Sequence, residues 1–120
     1  MTSKLTELAT TLAKSHHFRW MDGMADCWGG RCRHGDGVDR INAFPDLADP
    51  ATVGCILHIA RTLYANPERL WGGRLEVHQD HHDLFFAVIA DHDLDGALFH
   101  RYVATGATEV EAIVNAILAK

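Results

Sequence analysis

Residues 84–90 decide the fold of this chain, and they read Leu-Phe-Phe-Ala-Val-Ile-Ala. The run is apolar throughout, with no polar residue alternating along it. That pattern is typical of a strand that is covered on both faces or lies at the centre of a sheet. We therefore take residues 84–90 as the central strand.

Strands are also predicted on both sides of this run. On its N-terminal side Leu75 and Val77 alternate with charged and polar residues, as in a half-buried strand, and a third strand is predicted over residues 97–103. The connections, residues 79–82 and 91–96, are short. Short connections favour an antiparallel meander.

The last helix is predicted from its N-terminal signal. Thr108 and Glu111 have the spacing of a capping box, in which each side chain satisfies a backbone amide of the first turn. The predicted buried stripe of this helix is Val110, Ile113, Val114, Ile117 and Leu118.

Two further helices are predicted nearer the N-terminus. Asp49 can cap the first turn of a helix over residues 50–64, where Pro50 gives up an amide that has no partner. Gly54 inside this helix indicates the close approach of another backbone. The predicted stripe is Val53, Ile56, Leu57, Ala60 and Tyr64. A shorter amphipathic helix is predicted over residues 3–15, with Ser3 as N-cap and Leu5, Leu8, Ala9 and Leu12 on one face.

Glycine pairs divide the region between these helices. Gly29-Gly30 and Asp36-Gly37 favour tight hairpin turns, so three short strands are expected at residues 24–28, 31–35 and 38–41.

Together these elements predict an α+β fold, a small antiparallel β-sheet with two or three helices packed on it. A chain of 120 residues with 48% hydrophobic content suits a single domain, residues 1–120.

Composition narrows the classes of function. No apolar run is long enough to span a membrane, and the first residues do not resemble a signal peptide. A net charge of -5 without clustered Lys and Arg argues against nucleic acid as a partner, and three cysteines suit a reducing compartment. We expect a cytoplasmic protein with neither membrane nor nucleic acid as partner.

Three stretches of the chain resemble a group of small uncharacterised phage and prophage proteins. They are residues 45–57 (Pro-Asp-Leu-Ala-Asp-Pro-Ala-Thr-Val-Gly-Cys-Ile-Leu), residues 20–24 (Trp-Met-Asp-Gly-Met) and residues 106–114. The resemblance implies a phage-encoded accessory protein of the host cell cytoplasm that binds a host or phage protein. Inhibitors of host defence systems, such as anti-CRISPR proteins, are one class of this kind.

The first cluster with chemical potential is Cys27, Cys32 and His34. A two-residue turn at Gly29-Gly30 would set Cys27 opposite Cys32, close enough to share a metal. Zinc would need a fourth ligand, for which His78, His81, His82 and His92 are available. The alternative is a hairpin with two small residues facing each other.

A second cluster is formed by Asp91, Asp93 and Asp95, which precede Gly96 as in the opening of a calcium loop. The twelfth loop position is Tyr102, where an EF-hand requires Glu. A solvated hairpin loop is the favoured interpretation.

Two further features are weaker candidates for a chemical site. His78, Asp80, His81 and His82 could pair for general base chemistry, but the meander places them at the opposite sheet end from Asp91. Cys55 lies among apolar helix residues, as a small buried side chain does.

Aromatic and methionine side chains concentrate in the weakly patterned region, where they could form a protein-binding patch: Phe18, Trp20, Met21, Met24 and Trp28. Alternatively they close the core, or they form a homodimer contact. The leading hypothesis is a non-enzymatic protein that acts through protein contacts and needs no cofactor. The rival hypothesis is a metal-dependent protein, with zinc or calcium at the clusters above.

Overall fold

A computed structural model describes residues 3–32, 43–65, 75–80, 82–92 and 98–120 of the chain. The chain divides into two compact units, residues 1–59 and 60–120, with the boundary inside the second helix. The expectation of a single domain stays a prediction. The described elements comprise three helices and one antiparallel sheet of three strands, so the predicted α+β class is confirmed.

The second unit contains the sheet. Its strands are β1 (Leu75–Gln79), β2 (Phe85–His92) and β3 (Leu98–Gly106), in the order β1-β2-β3. Both pairings are antiparallel, so the predicted meander is confirmed. A register shift between Ala87 and Val88 makes a bulge in the pairing with β3. Ala87, Val88 and Ile89 are buried, as expected of a central strand.

Helix α3 (Glu109–Leu118) packs on this sheet and contacts all three strands. The predicted N-cap is confirmed, because Thr108 Oγ1 accepts from Glu111 N at 3.2 Å. The Glu111 carboxylate accepts from the amide of Ala107, one residue before the cap, at 3.1 Å. The buried residues of α3 are Ala112, Ile113, Val114, Ala116 and Ile117. The predicted stripe was wrong at Leu118, which is 37% exposed in the last turn.

Helix α2 (Pro50–Leu63) begins at the predicted proline. Its buried residues are Thr52, Ile56, Ile59 and Ala60. Of these, Ile56 and Ala60 belong to the predicted stripe, and Thr52 and Ile59 do not. The interpretation of Gly54 was wrong: this residue is exposed, and no described atom lies within 4 Å of a Cβ added there. In the second unit, Arg61 Nε donates to the carbonyl of Leu75 at 2.9 Å and attaches the end of α2 to β1.

The first unit contains α1 (Ser3–Ala13), which buries Ala9 and Leu12. The strand predicted at residues 24–28 is absent from the described residues, where only isolated bridges occur, between Ala25 and Arg31 and between Asp26 and Pro45. Residues 31 and 32 likewise form no strand, and the strand predicted at 38–41 lies outside the described residues. In place of the strand pairing expected around the glycine pair, the carboxylate of Asp26 accepts hydrogen bonds from the amides of Trp28 and Gly30.

None of the described helices is long and apolar enough to cross a membrane.

Candidate functional site

Among the described residues of the first unit, the most exposed large apolar side chain is Trp28, at 69% exposure. It lies in a loop of residues 26–30, which we call the Trp28 loop. The bridge between Ala25 and Arg31 closes this loop at its base. A tryptophan at such exposure gains little from burial, so its position requires another explanation.

The carboxylate of Asp26 holds the Trp28 loop together from inside. Asp26 is only 3% exposed, and its Oδ1 accepts from the amides of Trp28 and Gly30, each at 2.9 Å. The amide of Asp26 donates to the Gly30 carbonyl at 2.8 Å, and the amide of Gly29 donates to the Asp26 carbonyl at 3.1 Å. Four hydrogen bonds around one buried residue therefore fix the backbone that carries Trp28.

Both glycines of the loop have a physical reason to be glycine. Gly29 has φ +84°, in the region that other residues rarely adopt. A Cβ on Gly30 would lie 2.8 Å from Asp26 Oδ2. The glycine pair therefore marks a turn, as predicted, but the turn is wider than the two-residue form.

This wider turn corrects the predicted pairing of the two cysteines. Cys32 pairs with Met24 instead, since its amide donates to the Met24 carbonyl at 2.8 Å. Cys27 lies inside the Trp28 loop, where its amide donates to the Phe44 carbonyl at 2.9 Å. All three cysteines are free thiols.

An ion pair lies immediately after the loop. Arg31 makes two hydrogen bonds with the carboxylate of Asp49, at 3.0 and 3.1 Å, and a third with the carbonyl of Gly23 at 2.6 Å. The bidentate geometry fixes the guanidinium plane while leaving the Arg31 side chain 52% exposed. A rigid arginine thus lies close in the chain to the exposed tryptophan.

Asp49 also caps α2, as predicted. Its Oδ2 accepts from the amide of Thr52 at 3.0 Å and from the Thr52 hydroxyl at 2.8 Å. The hydrogen bond from Arg31, and after it those from Thr52, hold the pKa of the Asp49 carboxyl well below its usual range. Asp49 is therefore an anion at every physiological pH.

The other members of the predicted aromatic patch are less exposed than Trp28. Phe18 and Trp20 are half-buried and make an edge-on contact, with ring centroids 5.2 Å apart. Met21 is half-buried, and Met24 is fully buried in the core. For Met24 the core alternative therefore holds, and Trp28 is the member of the set that presents a large exposed surface.

Burial is the main cause that raises the pKa of the Cys55 thiol, with negative groups nearby adding to it. The thiol donates weakly to the carbonyl of Asp22 at 3.7 Å. A raised pKa disfavours the thiolate, so Cys55 lacks the activation of a nucleophile.

The predicted metal clusters fall largely outside what the structure describes. His34, His81, Asp93 and Asp95 lie outside the described residues, and Asp91 belongs to β2, where it pairs with Phe99, rather than to the predicted loop. Across the described ranges, no group of three His, Cys, Asp or Glu side chains is placed to hold a metal ion. The zinc and calcium sites stay predictions.

His78 and Asp80 take separate local roles. His78 Nε2 lies 3.2 Å from Glu76 Oε2 on the exposed face of β1. In the turn that follows, Asp80 Oδ1 accepts from the amides of His82 and Leu84. This turn and Asp91 lie at opposite ends of β2, as the meander predicted.

Sequence reasoning missed Asp26 and Thr52. Thr52 is fully buried, and its hydroxyl accepts from the amide of Ala25 at 2.8 Å while donating to Asp49. A signal for Asp26 was present, because Asp often accepts from amides two residues ahead in a turn and Gly29-Gly30 follows it.

Comparison with known proteins adds no relative: no family model, curated protein or solved structure matches this chain.

Proposed function

We propose that this protein acts without catalysis, by binding another protein through Trp28 and the loop that carries it. One observation carries the proposal: a tryptophan 69% exposed on a backbone fixed by a buried carboxylate. Tryptophan and arginine are the residues most enriched at the energetic centres of protein interfaces.

The loop's internal hydrogen bonds support this role. A segment that is already ordered loses less conformational entropy on binding than a mobile one, so more of the contact energy appears as affinity. Arg31, held by Asp49, offers a fixed guanidinium three residues after Trp28 in the chain.

The expected partner is a protein of the host cell, including a component of a host defence system. This part of the proposal rests on the resemblance of residues 45–57 to phage and prophage proteins. Cytoplasmic action follows from the same context.

The test is affinity capture from a lysate of the cells that carry the gene. Wild type, Trp28→Ala and Leu84→Ala serve as baits; Leu84 is a 43% exposed apolar residue in the β1–β2 turn. We expect a protein retained by wild type and Leu84→Ala and lost from Trp28→Ala. Identical sets of captured proteins for all three baits would contradict the proposal.

Solution mass separates binding to a partner from self-association. A dimer of wild type that Trp28→Ala converts to monomer would assign the loop to a contact between copies, against a heterologous partner.

A further inference from the structure

An open groove of about 310 Å³ lies on the second unit, where the end of α3 meets β3. Its volume is at the lower limit of small-molecule sites. Among the described residues the groove is lined by two tyrosines, two cations and no carboxylate side chain: they are Tyr64, Arg101, Tyr102, Val103, Ala119 and Lys120.

The two cations approach the groove from different elements. Arg101 lies on β3 and is exposed. The Lys120 ammonium lies 4.8 Å from the centroid of the Tyr64 ring, a cation–π contact that fixes its position. Burial raises the pKa of the Tyr64 hydroxyl, and the nearby charge of Arg101 opposes that rise.

Positive charge at a helix C-terminus often serves only to complement the last carbonyls of the helix. In α3 (Glu109–Leu118) three of the last four carbonyls already have donors. The Tyr64 hydroxyl donates to the Ala116 carbonyl at 2.6 Å, the Ala119 amide to Asn115 at 2.9 Å and the Lys120 amide to Ile117 at 3.1 Å. The side-chain charges are therefore not needed for them.

Neither cation has a carboxylate side-chain partner among the described residues, although the whole chain has 16 acidic residues against 11 Lys and Arg. Two cations that line one groove, neither paired with a carboxylate side chain in the part of the chain that the structure describes, favour a doubly charged anion over a singly charged one. Tyr102 also lines the groove; its side chain is 69% exposed, and its ring lies edge-on to Phe86 with the centroids 5.5 Å apart.

We propose that this groove binds a phosphate group, either free or as the monoester of a small molecule, through Arg101 and Lys120. Arginine matches two phosphate oxygens with its planar fork, and lysine adds a point charge. The site lies within the second unit and does not depend on the binding role of Trp28.

The experiment measures the melting temperature against inorganic phosphate and against phenyl phosphate, with chloride adjusted to keep ionic strength constant. Binding to the native state raises the melting temperature in a saturable way. We expect saturation for wild type, and roughly tenfold weaker apparent affinity for Arg101→Gln and for Lys120→Gln, since each removes one charge-assisted contact. Tighter binding of phenyl phosphate would assign a monoester, and equal binding would assign free phosphate.

Lys14→Gln is the matched control, because it removes one exposed positive charge from the first unit. It should behave as wild type. A rise that does not saturate, or that is the same in Arg101→Gln, Lys120→Gln and wild type, would overturn the proposal.

Discussion

Thr52 is the residue at which the start of α2 meets the segment that leads into the Trp28 loop. Its hydroxyl accepts from the Ala25 amide and donates to Asp49, both at 2.8 Å, with no exposed surface of its own. Because every polar atom of the side chain is used, its removal leaves a buried amide without an acceptor.

Thr52→Val tests this role with almost no change in volume. We expect the free energy of unfolding to fall by about 1–3 kcal/mol, the cost of leaving the Ala25 amide buried and unpaired. Urea denaturation measures the loss. Thr52→Ser keeps the hydroxyl and should lose clearly less; a Thr52→Val variant as stable as wild type, or less destabilised than Thr52→Ser, would contradict this role of the hydroxyl.

At the residue scale, prediction succeeded where the signal is short-range and failed where one side chain bonds across a loop. Thr108, Glu111 and Asp49 were predicted because caps act within one turn. The pairing of Cys27 with Cys32 was wrong because the glycine pair alone does not reveal that Asp26 holds a wider turn.

At the scale of the element, α2 contains a glycine that its packing does not require. Gly54 is exposed, with no described atom within 4 Å of an added Cβ. Alanine is the better helix former because glycine loses more backbone entropy on folding. We expect Gly54→Ala to raise the free energy of unfolding by about 0.5–1 kcal/mol.

Gly106 is the matched control, since a Cβ there would lie 2.5 Å from the amide of Ala112. Gly106→Ala should destabilise the protein. Thermal melting of both variants measures the contrast, and destabilisation by Gly54→Ala would restore the close backbone approach first predicted at that position.

The cap of α2 also predicts an acid dependence. The pKa of Asp49 is lowered in the folded protein from its ordinary value of 3.8, chiefly by the hydrogen bond from Arg31. A lowered folded-state pKa means that the contribution to stability is complete above the ordinary value and is lost as pH falls below it towards the folded pKa. Stability should therefore decline from about pH 5 downward.

Asp49→Asn removes this titration while it keeps an oxygen that can accept from the Thr52 amide. Denaturation between pH 6 and pH 2 should show a shallower acid slope for Asp49→Asn than for wild type. Glu109→Gln, which changes an exposed carboxylate in α3, is the control and should keep the wild-type slope. Parallel slopes for Asp49→Asn and wild type would contradict the assignment.

Elements were predictable because their patterns are periodic. The apolar run of β2 and the alternation in β1 gave the meander, although β2 continues to His92 and β3 to Gly106, beyond the predicted ends. Strand ends depend on pairing between distant residues, which a local pattern does not encode.

At the scale of the whole molecule, the sequence predicted the class of fold and one useful member of the candidate site. Trp28 was one of five residues in the predicted protein-binding patch. The structure distinguishes exposed Trp28 from buried Met24, whereas composition alone does not. The groove with Arg101 and Lys120 was not predicted, because its residues come together only when α3 packs on the sheet.

The central proposal is that Trp28 makes the largest single contribution to the affinity of the protein for its partner. Its most direct test is calorimetric titration of the captured partner with wild type, Trp28→Ala and Leu84→Ala. We predict that Trp28→Ala weakens binding by about 2 kcal/mol or more, roughly thirtyfold, as for a tryptophan at an interface centre, and that Leu84→Ala binds as wild type does. Equal affinity of Trp28→Ala and wild type would contradict the claim.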